Sequence, residues 1–423
     1  MSEVFSVAEG TQKLPRSSGT ALGGAFISAG TAVGAGMFSM PVVTSGLWFG
    51  YSLLLLLVVA FCMYSASLYV LEVNLRFPER AGFDSMTEKL LGRGGRIING
   101  IAIGFVCYVL TYAYISGGSS IVSHTAVSIG IHGLSPVVGS LVFAVILSVI
   151  VVVGTKAVDR VSTVLIGGMV VTFVGFSSGL AEKASTTILF PSLDFPEIWS
   201  YSLVSIPFIA VSFGSQTCIP SLTRYLNRDA QTIRRAVLWG VLLTLAFYIL
   251  WEVGIFSNLA RDQFPAIVRE GGNIGALLSA LDRTGISTSL SYLLKLFANM
   301  AVASSFLGVG LSLFDYIVDL FGFTDGWSGH LKAGLLTFIP PTVLGVLFPN
   351  GFIAAIAFAG FGVVILCILS PVLMAWISRC KSQDGLYRVP GGNARMILVA
   401  LFGVAVAVLS ALDMLSVLPH FIG

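Results

Sequence analysis

The chain has 423 residues, 56% hydrophobic and 10% charged; soluble domains carry about 25% charged residues, so the composition reads as a polytopic membrane protein with little room for a soluble domain. The net charge of +3 does not imply nucleic acid, because the cations fall in short loops where they would face an anionic inner leaflet. Five cysteines without C-x-x-C spacing and four histidines, His124, His132, His330 and His420, placed at loops or tails without ligand spacing, predict neither a metal centre nor any cofactor.

The leader Met1–Thr20 is polar and lacks an apolar h-region, so no cleavable signal is expected; it forms a cytoplasmic tail, and the first span acts as its own insertion signal. That span, Ala21–Gly46, contains GTAVGAGMFSMP from Gly30 to Pro41. Gly30, Gly34 and Gly36 each lower helix propensity by roughly 1 kcal/mol relative to alanine, and Pro41 removes a backbone donor. The helix is expected to break there. A broken membrane helix is tolerated only where it is buried in protein or lines a cavity, which marks the working site.

Further spans are predicted at Trp48–Asn74, Ile97–Ile121, Ser135–Thr155 and Val161–Leu180. Between the second and third, Gly92-Arg93-Gly94-Gly95 is read as a basic loop and a topology signal rather than a phosphate loop. Tyr108 and Tyr112 share one face of span three, beside Tyr114, and offer rings for an aromatic ligand to stack on. Span six, Tyr201–Leu222, repeats the pattern of span one: Pro207, Gly214 and Pro220 bracket a polar run from Ser212 to Thr217. Two interrupted helices, each opening a block of five, are the mark of an inverted-repeat transporter with substrate bound near the midplane.

Spans seven to eleven follow at Ala236–Leu259, Ser287–Asp315, Leu331–Phe348, Phe352–Ile377 and Met396–Leu418. Repeat one covers about residues 21–180, repeat two about 201–377 and the extra helix about 396–418, within a single transmembrane domain over 21–423. Basic residues such as Arg76, Arg96, Arg228, Arg235, Arg379 and Arg395 gather in loops on one side, against Lys183, Arg261, Arg269 and Arg283 on the other. The bias puts the amino terminus in the cytoplasm and, with an odd span count, the carboxyl terminus in the periplasm. Span eight carries small residues at Ala301, Ser304, Ser305, Gly308 and Ser312, the face of a closely approached helix. Lys295 and Glu252 are the ionisable residues inside spans; Lys295 is a candidate coupling group, and Glu252 is expected to pair with an outer cation.

The segments GTAVGAGMFSMPVV, FVCYVLTYAYIS, SFGSQTCIPSL, FANMAVASSFLGVGLSLFDYIVDLFGF and LFPNGF resemble the bacterial hydroxy and aromatic amino acid permease family. AGMFSMPVV, LTYAYIS and AVASSFLGV are more similar to its tryptophan permeases than to its tyrosine members. The resemblance covers essentially the whole chain. It implies an all-α protein of the amino acid-polyamine-organocation superfamily, with a LeuT-like 5+5 inverted repeat and an eleventh transmembrane helix. The implied activity is secondary import of aromatic amino acids, tryptophan favoured, by proton symport in the bacterial inner membrane. Tyrosine or a broad aromatic range with sodium coupling is the alternative, and a channel or nutrient receptor would be a different class. One departure stands out: Gln216 occupies the position of the family's histidine, which removes a physiological protonation step.

A zwitterionic substrate can be held by broken helices without charged side chains. Amides around Gly34, Ala35 and Gly36 are assigned to the carboxylate. Carbonyls near Thr31 and Ala32, with Phe213 at the break beside Gly214, are assigned to the ammonium. Tyr108, Tyr112, Gln216, Thr217 and Ser305 would line the side-chain chamber. Carbonyls of Gly30, Val33 and Ala301 with the hydroxyls of Ser304 and Ser305 match the cation site of sodium-coupled LeuT-fold transporters. The partners implied are an aromatic amino acid, a proton or sodium ion and the lipid bilayer, with no nucleic acid; the sequence leaves the oligomeric state open. No Walker A or H-E-x-x-H pattern is present, so no enzyme is expected.

Overall fold

A computed structural model describes residues 19–78, 81–128, 130, 133–182, 184–191, 195–272, 274–323, 326–381 and 387–421. Most of the expected tail, with Arg80, His132 and Lys183, lies outside these residues, and nothing is described of the Ala35 side chain. Among the described residues, ten helical stretches are long and apolar enough to cross a membrane, and Ala21–Ala32 is a shorter apolar helix.

Span one consists of Ala21–Ala32, a 3-10 turn Ala35–Met37 and the half-helix Met40–Thr44. Thr20 starts it by accepting the Gly23 amide at 3.0 Å. Span two is Trp48–Asn74, span four Pro136–Val153 and span five Thr155–Ala181. Spans four and five are joined through Gly154 alone, whose φ of 128° is one that side-chain-bearing residues rarely adopt. Span six breaks between Phe195–Ser212 and Ile219–Tyr225 around a turn at Gln216–Cys218. Span seven is Ala230–Phe256, span eight Thr288–Phe321 and span nine Trp327–Leu347. Span ten runs through Phe352–Val364, a π turn Ile365–Leu369 and Ser370–Lys381; span eleven is Gly392–Met414.

Span three departs from expectation. It belongs to a helical run Phe83–Ser128 bent at Gly92, with φ 75° and ψ −174°. The basic glycine segment is therefore a kink rather than a loop. His330 and His124 also sit in helices rather than loops, and the His330 ring nitrogen Nδ1 lies 3.4 Å from the Val152 carbonyl of span four. Gly175-Phe176-Ser177-Ser178-Gly179 spells the G-x-S-x-G pattern of hydrolases, but it lies inside the continuous helix of span five with the Ser177 hydroxyl donating to the Phe173 carbonyl. It has no strand-to-helix elbow to expose a nucleophile.

The half-helices pair crosswise. Gly24 of the first half of span one packs on Leu222 and Leu226 at the second half of span six. In turn, Ser205 in the first half of span six donates to the Val43 carbonyl in the second half of span one at 3.0 Å. This is the arrangement an inverted repeat requires. The outside of the bundle is apolar, as a lipid solvent demands: Val164, Val171 and Val174 of span five are 75%, 72% and 69% exposed. On the face holding Ala21, here the amino-terminal face, the buried Glu72 accepts from Arg379 Nε and Nη2, each at 2.7 Å, and from the Val389 amide at 2.8 Å. This fixes spans two and ten to each other and to the segment that leads into span eleven.

Candidate functional site

Both breaks leave backbone groups without helical partners. In span one the Val33 amide closes on Ala29 at 2.7 Å and the Met37 amide on Gly34 at 3.2 Å. Among the described residues the amides of Gly34 and Gly36 have no backbone acceptor. In span six Gly214 closes on Val211 at 3.0 Å and Cys218 on Ser215 at 3.2 Å, while the Gln216 amide lies close to the Cys367 thiol from the π turn of span ten. Free amides in a dry, half-buried break are the donors a carboxylate needs.

The breaks touch each other and span eight through very small residues. A Cβ on Gly36 would lie 3.2 Å from Ser212 Oγ, and one on Gly34 only 2.6 Å from Ser305 Oγ. Ser305 lies close to the Tyr114 hydroxyl of span three. Thr31 lies close to Cys218 across the gap and donates to the Ile27 carbonyl at 2.8 Å. Tyr248 of span seven connects the two: its buried hydroxyl lies 3.1 Å from the Ala32 carbonyl and also bonds to the Ser212 carbonyl. Its ring packs edge-on to Phe213 with centroids 5.1 Å apart.

Several expected site residues are brought together, namely Thr31, Ala32, Gly34, Gly36, Phe213, Gly214 and Ser305. Others go elsewhere. Tyr108 donates to the Leu336 carbonyl at 2.9 Å and Tyr112 to the Phe348 carbonyl at 3.0 Å, both on span nine. Tyr114 is the ring of span three that reaches the break. Gln216 is fully buried, with Nε2 donating to the Met63 carbonyl of span two at 3.1 Å. Replacing it with alanine removes a helix-to-helix bond, so Gln216→Ala is expected to weaken uptake of tryptophan and tyrosine equally, by about 0.5–1.5 kcal/mol. Competition assays with the two substrates check this, and a selective loss of one would return Gln216 to the chamber wall. Thr217 is exposed.

The residues of the expected cation site differ in their surroundings. Gly30 is exposed, with no atom within 4 Å of where its Cβ would be. The Ser304 hydroxyl donates to the Ala301 carbonyl at 3.1 Å and lies 3.5 Å from Met169 Sδ, while Ser305 faces Gly34; Val33 is half-buried. Lys295 forms an ion pair with Asp282 at 2.8 Å, at a partly exposed position. Exposed pairs contribute about 0–1 kcal/mol, so Lys295→Gln should leave the initial uptake rate nearly unchanged. A collapse of concentrative uptake would restore it as a coupling group. Glu252 has no cation partner among the described residues: Thr44 and Ser52 hydroxyls bond to it instead.

The two faces differ. Gly30, Thr31, Thr217, Gly308 and Ser312, on the amino-terminal side of the breaks or along span eight, are exposed. On the opposite face Met37, Phe38, Ser39 and Met40 are buried, and Ser39 donates to the Gly272 carbonyl at 2.9 Å. Arg261 holds the Gly46 carbonyl at 2.8 Å with its guanidinium over the Phe421 ring. Phe38, Phe176, Phe297 and Trp251 close an aromatic plug behind the break. A separate cavity of about 370 Å³ on that face, lined by residues such as Tyr201, Phe208, Ile353 and Phe421, contains no residue of either break. At its edge His420 lies 3.0 Å from Asp413, whose hydrogen bond holds the imidazole above its ordinary value.

Sequence reasoning missed Tyr248 and the role of Tyr114. The available signal was position: a tyrosine in the middle of a span, far from the interfacial belts where tyrosines usually anchor.

Comparison with known proteins gives one consistent answer. The model of the tryptophan/tyrosine permease family matches residues 17–410. A tryptophan-specific transport protein of Pseudomonas aeruginosa (strain UCBPP-PA14) is 46% identical over 95% of this chain and 96% of its own length. A tryptophan-specific transport protein of Shigella flexneri is 42% identical over 95% and 97%. A tyrosine permease of Enterobacter agglomerans is 35% identical over 95% and 97%. Among solved structures, MhsT in complex with L-phenylalanine superposes with a TM-score of 0.57 at 15% identity, covering 94% of this chain and 98% of that one, a likeness of fold alone.

Proposed function

Because this chain belongs to the tryptophan/tyrosine permease family, we propose that it is a secondary importer of aromatic amino acids, tryptophan first among them, driven by protons. It is a multi-pass membrane protein and not an enzyme. Its proposed place is the bacterial inner membrane, with the amino terminus cytoplasmic and the carboxyl terminus periplasmic. In that orientation the buried residues Met37, Phe38, Ser39 and Met40 lie toward the periplasm and the exposed Gly30 and Thr31 toward the cytoplasm.

The observation that carries the reading is the pair of breaks without a charged side chain, bridged by Tyr248 and presenting the free amides of Gly34 and Gly36. A net-neutral zwitterion fits such a site. Its carboxylate is assigned to those amides and its ammonium to the carbonyls of Thr31 and Phe213, with that of Ala32 shared with Tyr248. Proton rather than sodium coupling is what the resemblance to the aromatic amino acid permeases implies. One cation crossing 100 mV supplies about 2.3 kcal/mol, which supports roughly 50-fold accumulation of a neutral substrate.

Labelled tryptophan uptake into proteoliposomes, under imposed proton or sodium gradients and with tyrosine, phenylalanine and serine as competitors, tests the proposal. The expected result is saturable, proton-driven accumulation competed by aromatic acids and not by serine. Linear, unsaturable flux would indicate a channel, and strict sodium dependence would replace the coupling ion.

A further inference from the structure

Glu252 is fully buried on span seven, one turn from the end of its helix. It faces Thr44, the last residue of the half-helix that closes the periplasmic side, and Ser52, near the start of span two. Thr44 Oγ1 lies 2.8 Å from the Met40 carbonyl and 2.7 Å from Glu252 Oε1; Ser52 Oγ lies 2.6 Å and 2.7 Å from the two carboxyl oxygens. The other surfaces around this stretch are apolar, with Gly254 against Leu180 of span five and the rings of Trp251 and Phe256 beside it. The titratable or charged groups on the packed elements are Tyr51 beside Ser52, Glu182 at the end of span five and Arg261, which is engaged with the Ser45 and Gly46 carbonyls. None of the described ion pairs involves Glu252.

Counting protons separates the two forms of the carboxyl. Each hydroxyl carries one proton. When the carboxyl is ionised, two hydroxyl protons serve four short contacts: Thr44 must choose between the Met40 carbonyl and Oε1, and Ser52 between Oε1 and Oε2. A proton on Oε1 resolves the Thr44 conflict: Oε1–H donates to Thr44, Thr44 donates to Met40, and Ser52 donates to Oε2, so that the second Ser52 contact alone is left without a proton. An ionised carboxylate buried here without a cation would also carry several kcal/mol of uncompensated desolvation.

We propose that Glu252 is protonated whenever the half-helix Met40–Thr44 is packed on spans two and seven, and that this protonation is what permits the periplasmic gate to close. When that half-helix swings away, Thr44 leaves, water reaches the carboxyl, and the proton exchanges with the periplasmic solution; no other bond is made or broken. The inference rests on the proton-symport reading and names the group where the driving proton is loaded.

The test is tryptophan exchange in proteoliposomes holding equal tryptophan on both sides, with external pH varied. Native protein should lose exchange as external pH rises, about tenfold per pH unit above the midpoint, the slope of a single titrating group. Glu252→Gln, a permanent mimic of the protonated form, should exchange without that pH dependence. Ser52→Ala removes a donor to the carboxylate and should move the midpoint to higher pH. A native pH profile in Glu252→Gln overturns the proposal; so does an inactive Glu252→Gln combined with an unmoved midpoint in Ser52→Ala. Sodium-driven accumulation by native protein, with the pH profile still abolished in Glu252→Gln, would overturn the symport reading and leave the gate standing. Proton-driven accumulation with an unchanged profile in Glu252→Gln would do the reverse.

Discussion

Gly34→Ala should abolish most tryptophan uptake while leaving the protein in the membrane at near-native abundance. The added methyl would stand 2.6 Å from Ser305 Oγ, closer than real Cβ contacts come. Ser305 sits against both Gly34 and the buried Tyr114, so relieving the overlap disturbs the packing on either side; overpacking of this kind costs about 1–3 kcal/mol, equivalent to roughly fivefold to hundredfold in rate. Adding Ser305→Ala removes the offending oxygen and should restore part of the activity. This rescue distinguishes a close approach between spans one and eight from a general dislike of alanine in the break. Uptake normalised to membrane abundance reads both variants; a Gly34→Ala protein as active as native, or a double variant no better than the single, would count against the contact.

Tyr248→Phe is expected to lower turnover roughly tenfold to hundredfold with the fold intact. The ring keeps its edge-on contact with Phe213, but the carbonyls of Ala32 and Ser212 lose the one hydroxyl that joins them. Leaving buried acceptors unsatisfied costs about 1–3 kcal/mol. Because the lost atom touches main chain alone, tryptophan and tyrosine should suffer alike. Transport assays with both substrates, beside a thermal unfolding midpoint lowered by only a few degrees, would bear this out. A variant that discriminates between the substrates would place the hydroxyl in the side-chain chamber.

The breaks were legible because glycine, proline and short polar runs act locally, and the same runs located Gly34, Gly36, Phe213 and Gly214. The residues that moved were those whose role depends on the neighbour. Helical spacing puts Tyr108 and Tyr112 on one face, yet it cannot say that this face meets span nine. Lys295 pairs with Asp282, a residue at the end of a short helix between spans. Glu252 found hydroxyls where a cation was expected, because the half-helix ending at Thr44 packs over it. In sequence Gly92 is compatible with a loop or a kink, since glycine permits either, and only the flanking helices decide between them.

The free amides at Gly34 and Gly36 belong to the main chain, and among single substitutions proline alone would delete one. Whatever part of a ligand they hold is read by atoms common to every variant that keeps proline out of those two positions. A descendant of this protein can therefore exchange the rings around the chamber and acquire a new preference, without first losing its grip on the amino acid. Heritable change in selectivity then falls on the periphery of the pocket, while substitutions at its centre, such as Gly34→Ala, act on transport of every substrate at once.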